Sequence, residues 1–138
     1  LKKGSLTPDE FEIMKNHTVI GYEALKKASA DQGADYFLNM AMDIILYHHE
    51  RWDGEGYPHR LKGEDIPLTA RIVSIVDVYD ALTSRRPYKE AYCHDEAVEI
   101  MKGETGKFDP VLFNLFIKNS DEFNNIRTKY SEQETGEE

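Results

Sequence analysis

Tyr36-Phe37-Leu38-Asn39-Met40-Ala41-Met42-Asp43-Ile44-Ile45-Leu46-Tyr47-His48-His49-Glu50 is the stretch on which the fold turns. Leu38, Ala41, Ile45 and His48 recur at intervals of three and four, which is one face of an α-helix. Asp35 stands directly before it, where a capping carboxylate belongs. The spacing predicts a helix over 36–50. Its apolar run, Ile44 to Tyr47, is far too short to cross a bilayer. Alternating strand patterns are scarce elsewhere, and no internal repeat is visible.

Reading outward, helical signals continue on both sides. Thr7-Pro8-Asp9-Glu10 combines a capping threonine, a proline at the first helical position and a glutamate three residues after the cap, and predicts a helix to about residue 28. Asp31-Gln32-Gly33-Ala34 breaks it. After the central helix, Gly54, Gly56, Pro58 and Gly63 make residues 51–66 a long ordered loop. A third helix is expected over 67–84, with Pro87 just beyond its end. A fourth opens at Asp95 and runs to about Lys102, and Asp109-Pro110 starts a fifth to about 118. The expectation is an all-α bundle of about five helices. Residues 1–127 form the domain, and 128–138, polar and acidic, form a disordered tail.

A chain of 138 residues suits one domain with a sizeable core. Seventeen Lys+Arg against 26 Asp+Glu give a net charge of −9. Residues 119–138 hold six of the acids and two of the bases. A duplex nucleic-acid binder carries a basic excess, so DNA is not an expected partner. An anionic ligand would need a local basic cluster, a metal, or both. One cysteine, Cys93, excludes an internal disulfide and a cysteine-based zinc cluster. With no basic-then-apolar leader at the start, the expected location is the cytoplasm, without membrane contact.

Four places carry chemistry. His48 and His49 are adjacent, and neutral imidazole is the commonest metal ligand. An isolated pair also reads blandly, as one histidine capping an apolar face and one on the surface. His17 shares nearly one helix face with Ile13 and Ile20, and that face is expected inward. A core histidine bonded to a carbonyl is the ordinary alternative. Asp77 lies within Ile72-Val73-Ser74-Ile75-Val76-Asp77-Val78-Tyr79, the most apolar part of the third helix. A buried carboxylate must be paired, protonated or metal-bound. The competing readings are a salt bridge to Arg71 or Arg85, or exposure. Arg85-Arg86-Pro87-Tyr88-Lys89 sets three cations beside an aromatic ring, which suits phosphate recognition. Cations at a helix C-terminus also simply complement the dipole.

Together these segments are more specific than any one. His48-His49-Glu50, Trp52-Asp53-Gly54-Glu55-Gly56-Tyr57-Pro58, Ile66-Pro67-Leu68, Ala70-Arg71-Ile72, Asp77-Val78-Tyr79-Asp80-Ala81-Leu82 and Arg86-Pro87-Tyr88-Lys89 closely resemble the HD-GYP family, a branch of the metal-dependent HD phosphohydrolases. Leu6-Thr7-Pro8 through His17-Thr18 resembles it too, so the likeness runs from about residue 1 to 118.

The resemblance implies a helical bundle of the HD phosphohydrolase type around two or three divalent ions, iron or manganese. It implies hydrolysis of the second messenger cyclic di-GMP to linear pGpG or GMP. By the same resemblance His17, His48, His49 and Asp77 match metal-ligand positions, with Asp77 also the catalytic one. Gly56, Tyr57 and Pro58 match the loop beside the substrate, and Arg86 and Lys89 match phosphate contacts. The family's His-Asp dyad is expected upstream of Thr7, and no such pair precedes His17; His94-Asp95 falls in the wrong place. The sequence therefore reads as the C-terminal portion of the domain, inactive on its own, prone to self-association, and serving an upstream receiver or sensory domain. Two functional classes stay open: a phosphodiesterase, and a non-catalytic module that binds a cyclic dinucleotide or a signalling protein.

Overall fold

The computed structural model describes residues 7–29, 35–85 and 90–134, with side chains through residue 130. These residues form seven α-helices: α1 (Pro8–Lys15), α2 (His17–Ser29), α3 (Tyr36–Tyr47), α4 (Leu68–Thr83), α5 (His94–Gly103), α6 (Pro110–Lys118) and α7 (Ser120–Glu134). A 3-10 turn at Gly63–Asp65 interrupts the long loop. There is no strand among the described residues, so the all-α expectation holds. No helix of the described residues is long and apolar enough to cross a membrane.

The starts of the helices follow their caps. Thr7 and Glu10 close a reciprocal capping box on α1. Asp35 accepts from the Leu38 amide at the head of α3, and Asp109 accepts from Val111 and Leu112 at the head of α6. The breaker at 31–34 lies outside the described residues.

Three boundaries differ from expectation, which raises five helices to seven. The first helix breaks at Asn16, whose amide turns back to Ile13 and Met14 in a tightened turn. Carbonyls at the break are taken by side chains: His17 Nδ1 reaches Met14 O at 2.7 Å and Thr18 Oγ1 reaches Lys15 O at 3.2 Å. Next, α3 stops at Tyr47, so His48 caps the helix instead of extending it. Last, α7 runs through the expected tail boundary at residue 128 and is helical to Glu134.

Helix α2 crosses α3 closely at Gly21, where an added Cβ would stand 2.9 Å from the Ile45 side chain. Thr18, fully buried, lies near the start of α2. Helix α4 packs on α3 with one flank and on α5 and α6 with the other. Its buried residues Ile75 and Tyr79 join Ala97, Val98 and Met101 of α5, Phe108, and Phe116 of α6 in the main core. Each large apolar side chain so buried contributes roughly 1.5–3 kcal/mol. Leu112, Phe113 and Phe123 pack against this cluster, so the folded unit continues onto α7.

Candidate metal centre

The break at Asn16 and the end of α3 bring three imidazoles together. Ring centroids lie 5.0 Å apart for His17 and His49, 5.9 Å for His17 and His48, and 4.1 Å for His48 and His49. One ring nitrogen from each falls within 4.8 Å of the others. Because the helix ends first, the adjacent pair is set by a turn and not by helical geometry.

The backbone decides which nitrogens are free. A carbonyl oxygen only accepts, so Nδ1 of His17 donates to Met14 and Nδ1 of His48 donates to Ile44, at 2.7 and 2.8 Å. Each Nε2 then keeps its lone pair. This is the arrangement that orients metal-ligating histidines. Burial, then the neighbouring His48 and His17, lower the pKa of His49 to about 4, so its ring is neutral at pH 7. Three converging imidazoles, two of them with the tautomer set from behind by a carbonyl, fit a divalent transition-metal ion.

Two expectations about the surroundings are corrected. The face carrying His17 is not inward: Ile13 is 70% and Ile20 67% exposed, and His17 itself is exposed. Helix α2 buries Thr18 and packs on α3 through Gly21 instead. Asp77 is also exposed. The apolar stretch around it is not uniformly buried, since Ile72 and Val76 are exposed as well. Arg71 is committed to Asp109 at 2.8 Å, and Arg85 pairs with Glu90 at 3.4 Å, so neither takes Asp77.

Asp77 instead lines a cavity of about 840 Å³ together with His48, His49, Gly56, Tyr57 and Pro58. It stands outside the three-histidine group, yet its charge acts on both His49 and Tyr57. Arg86 and Lys89, with Pro87 and Tyr88, lie outside the described residues.

The loop after α3 is built to present Tyr57. Gly56 is buried, and a Cβ there would come within 2.6 Å of the Glu50 Cα, so only glycine fits. The Tyr57 ring stacks on His49 with centroids 4.9 Å apart and meets Phe11 of α1 edge-on at 6.4 Å. Burial, then Asp77, push the Tyr57 hydroxyl pKa up, so it stays protonated. Amides of Trp52 and Asp53 bond to the carbonyls of Lys107 and Gly106, both at 2.9 Å, and zip this loop to the one after α5.

Lys15, Arg51, Arg60 and Lys107 also line the cavity, and the sequence reading gave none of them a role. Arg51 stands between His48-His49-Glu50 and Trp52-Asp53 in the sequence, and that is the one available signal. Lys107 lies 58 residues from His49, and nothing in its local sequence marks it.

A helical domain with a three-histidine centre opening into a polar cavity is the class of protein defined by this fold and site. The chain belongs to the HD domain family, matched over residues 1–112, and is of the HD-GYP type. It is 47% identical over 124 residues to a cyclic di-GMP phosphodiesterase of Vibrio cholerae, covering 89% of this chain and 25% of the relative. A cyclic di-GMP phosphodiesterase of Thermotoga maritima is 40% identical over 136 residues, covering 98% and 36%. A 3'3'-cGAMP-specific phosphodiesterase 2 of Vibrio cholerae is 39% identical over 127 residues, covering 91% and 23%. The chain thus spans little more than a third of the length of these relatives at most.

Proposed function

We propose that the protein carrying this chain is a metal-dependent phosphodiesterase that hydrolyses cyclic di-GMP to linear pGpG or GMP. The observation that carries this reading is the convergence of His17, His48 and His49 within 4.8 Å, beside a cavity lined by His48, His49, Tyr57 and Asp77. The names of the relatives supply the substrate.

In this reading the three histidines hold one divalent ion, iron or manganese, and Asp77 serves a neighbouring one in a set of two or three. Such ions supply Lewis acidity toward a phosphodiester oxygen and lower the pKa of a water. The chain's own residues do the rest. Tyr57, fixed by its stack on His49 and its edge contact with Phe11, offers a ring face and a protonated hydroxyl to the nucleotide. Gly56 and Pro58 set the path of that loop. Arg86 and Lys89 are assigned to the phosphates. An upstream receiver or sensory domain would regulate the site.

The test is product analysis after incubating cyclic di-GMP with the protein and added manganese or iron. Release of pGpG or GMP is expected. Asp77→Ala should abolish turnover, and His48→Ala should remove both turnover and bound metal. Tight binding of cyclic di-GMP by metal-loaded protein, without product, would replace this reading with a non-catalytic binding module. Turnover of 3'3'-cGAMP alone would reassign the substrate within the same chemistry.

A further inference from the structure

Among the described residues, Lys15, Arg51, Arg60 and Lys107 are the Lys and Arg side chains that line the cavity, and three of them are already ion-paired. Arg51 makes a two-point contact with Asp53, at 3.0 and 2.6 Å, and a longer one with Glu104 at 3.7 Å. Lys107 also pairs with Glu104, at 3.2 Å, and Lys15 pairs with Glu12 at 2.7 Å. Arg60 has no ion pair and no side-chain hydrogen bond among the described residues. Of these described cations Arg60 is the one whose charge is not already paired, which leaves it available to an anionic ligand in the cavity.

Its backbone points the same way. Arg60 has φ 55, the one non-glycine residue of the described chain in the left-handed region. That region crowds the Cβ of an L-residue, and glycine occupies it freely. The turn is imposed from below. Glu50, only 3% exposed, receives the His59 amide on one carboxylate oxygen at 2.6 Å and the Leu61 amide on the other at 3.0 Å. The two clamped amides flank residue 60 on either side. A long cationic side chain stands where the backbone favours glycine, at the wall of the site. Residues held in such regions by the surrounding structure cluster at functional sites.

We infer that Arg60 is a substrate-contacting residue, its guanidinium gripping a phosphodiester group of the cyclic dinucleotide, with Glu50 as the residue that positions it. A planar guanidinium offers two parallel N–H donors to phosphate oxygens, which a lysine does not. The inference rests on the cyclic-dinucleotide reading above and goes beyond it, since no family motif invoked above includes position 60.

Arg60→Gly separates a ligand role from a structural one. It removes the guanidinium and relaxes the backbone, so the variant should fold at least as stably as the parent. The experiment measures calorimetric affinity for cyclic di-GMP, thermal melting and metal content on the full protein carrying this chain, loaded with manganese. Arg60→Gly should raise Kd and KM about tenfold or more, as expected for a lost charge-assisted contact, with metal content unchanged and Tm no lower. Arg60→Lys should fall between the two. A Kd for Arg60→Gly within twofold of the parent overturns the inference, and so does a fall in Tm with affinity unchanged. If the parent protein itself binds no cyclic di-GMP, the proposed function fails and takes this inference with it. That outcome is distinct from failure at Arg60 alone.

Discussion

Around His17, His48 and His49 the anchoring contacts are hydrogen bonds of defined direction and stacked rings, whereas around Met101 and Phe116 they are almost all apolar. On the first side, carbonyls of Met14 and Ile44 hold two imidazoles from behind, Tyr57 stacks on the third, and the Glu50 carboxylate grips the loop by two amides. On the other, Met101 is fully buried, and Phe116 packs near Tyr79 and Phe123 at ring distances of 5.5 and 5.0 Å. Among the polar contacts there is the Tyr79 hydroxyl on His94 Nδ1 at 2.8 Å. Helix α4 separates the two, with Ser74, Asp77 and Ala81 facing the cavity and Ile75 and Tyr79 in the core. The contrast teaches a division of labour. Burial is non-directional and supplies stability. Directed polar contacts exchange hydrogen bonds to water for internal ones, so each adds little net stability, but they fix where a lone pair or a ring points.

The strongest way to break this division is to cut each side separately. Met101→Ala should cost about 2–5 kcal/mol of stability, read from denaturant titration, while the folded fraction binds manganese with unchanged affinity. His48→Ala should do the reverse, losing the metal while stability changes by about 1 kcal/mol or less. Metal loss on Met101→Ala without unfolding would mean that the core itself tunes the site.

A smaller effect sharpens the role of the clamp. Glu50→Gln leaves one of the two amides facing an N–H where it had an oxygen, at a cost of about 1–3 kcal/mol. Hydrogen exchange should accelerate at the His59 and Leu61 amides and stay unchanged in α5 and α6. Uniform acceleration across all of these helices would show that the loop and the core unfold as one unit.

The smallest effect is electrostatic. The pKa of His49 is about 4 in the folded chain against an ordinary 6.5, through burial first and the neighbouring histidines second. The unfolded state therefore takes up the proton first. Stability of the metal-free protein is unaffected above pH 6.5 and declines as pH falls from there toward 4. The ring is only half-buried, so the decline should be modest. Thermal melting between pH 7.5 and 5 checks it, and His49→Asn should flatten the profile.

What the sequence by itself determined is mostly local. Caps at Thr7, Asp35 and Asp109 name the helix starts because a side-chain oxygen satisfies an amide two or three residues away. The breakers at Gly54, Gly56, Pro58 and Gly63 mark the loop for the same local reason, and the family resemblance singled out His17, His48, His49 and Asp77. The break at Asn16 was not legible, since that residue stays in right-handed helical geometry and only its bond pattern shifts. Helix α7 was hidden by its polarity, with Phe123 its one large side chain packed against the core. Tertiary structure alone decided which side of α4 carries Asp77, and that Lys15, Arg51 and Lys107 are already paired at the cavity. It alone set Glu50 beneath Arg60. The carboxylate reaches amides 9 and 11 residues onward, and such contacts depend on the path of the whole loop, which residue spacing does not encode.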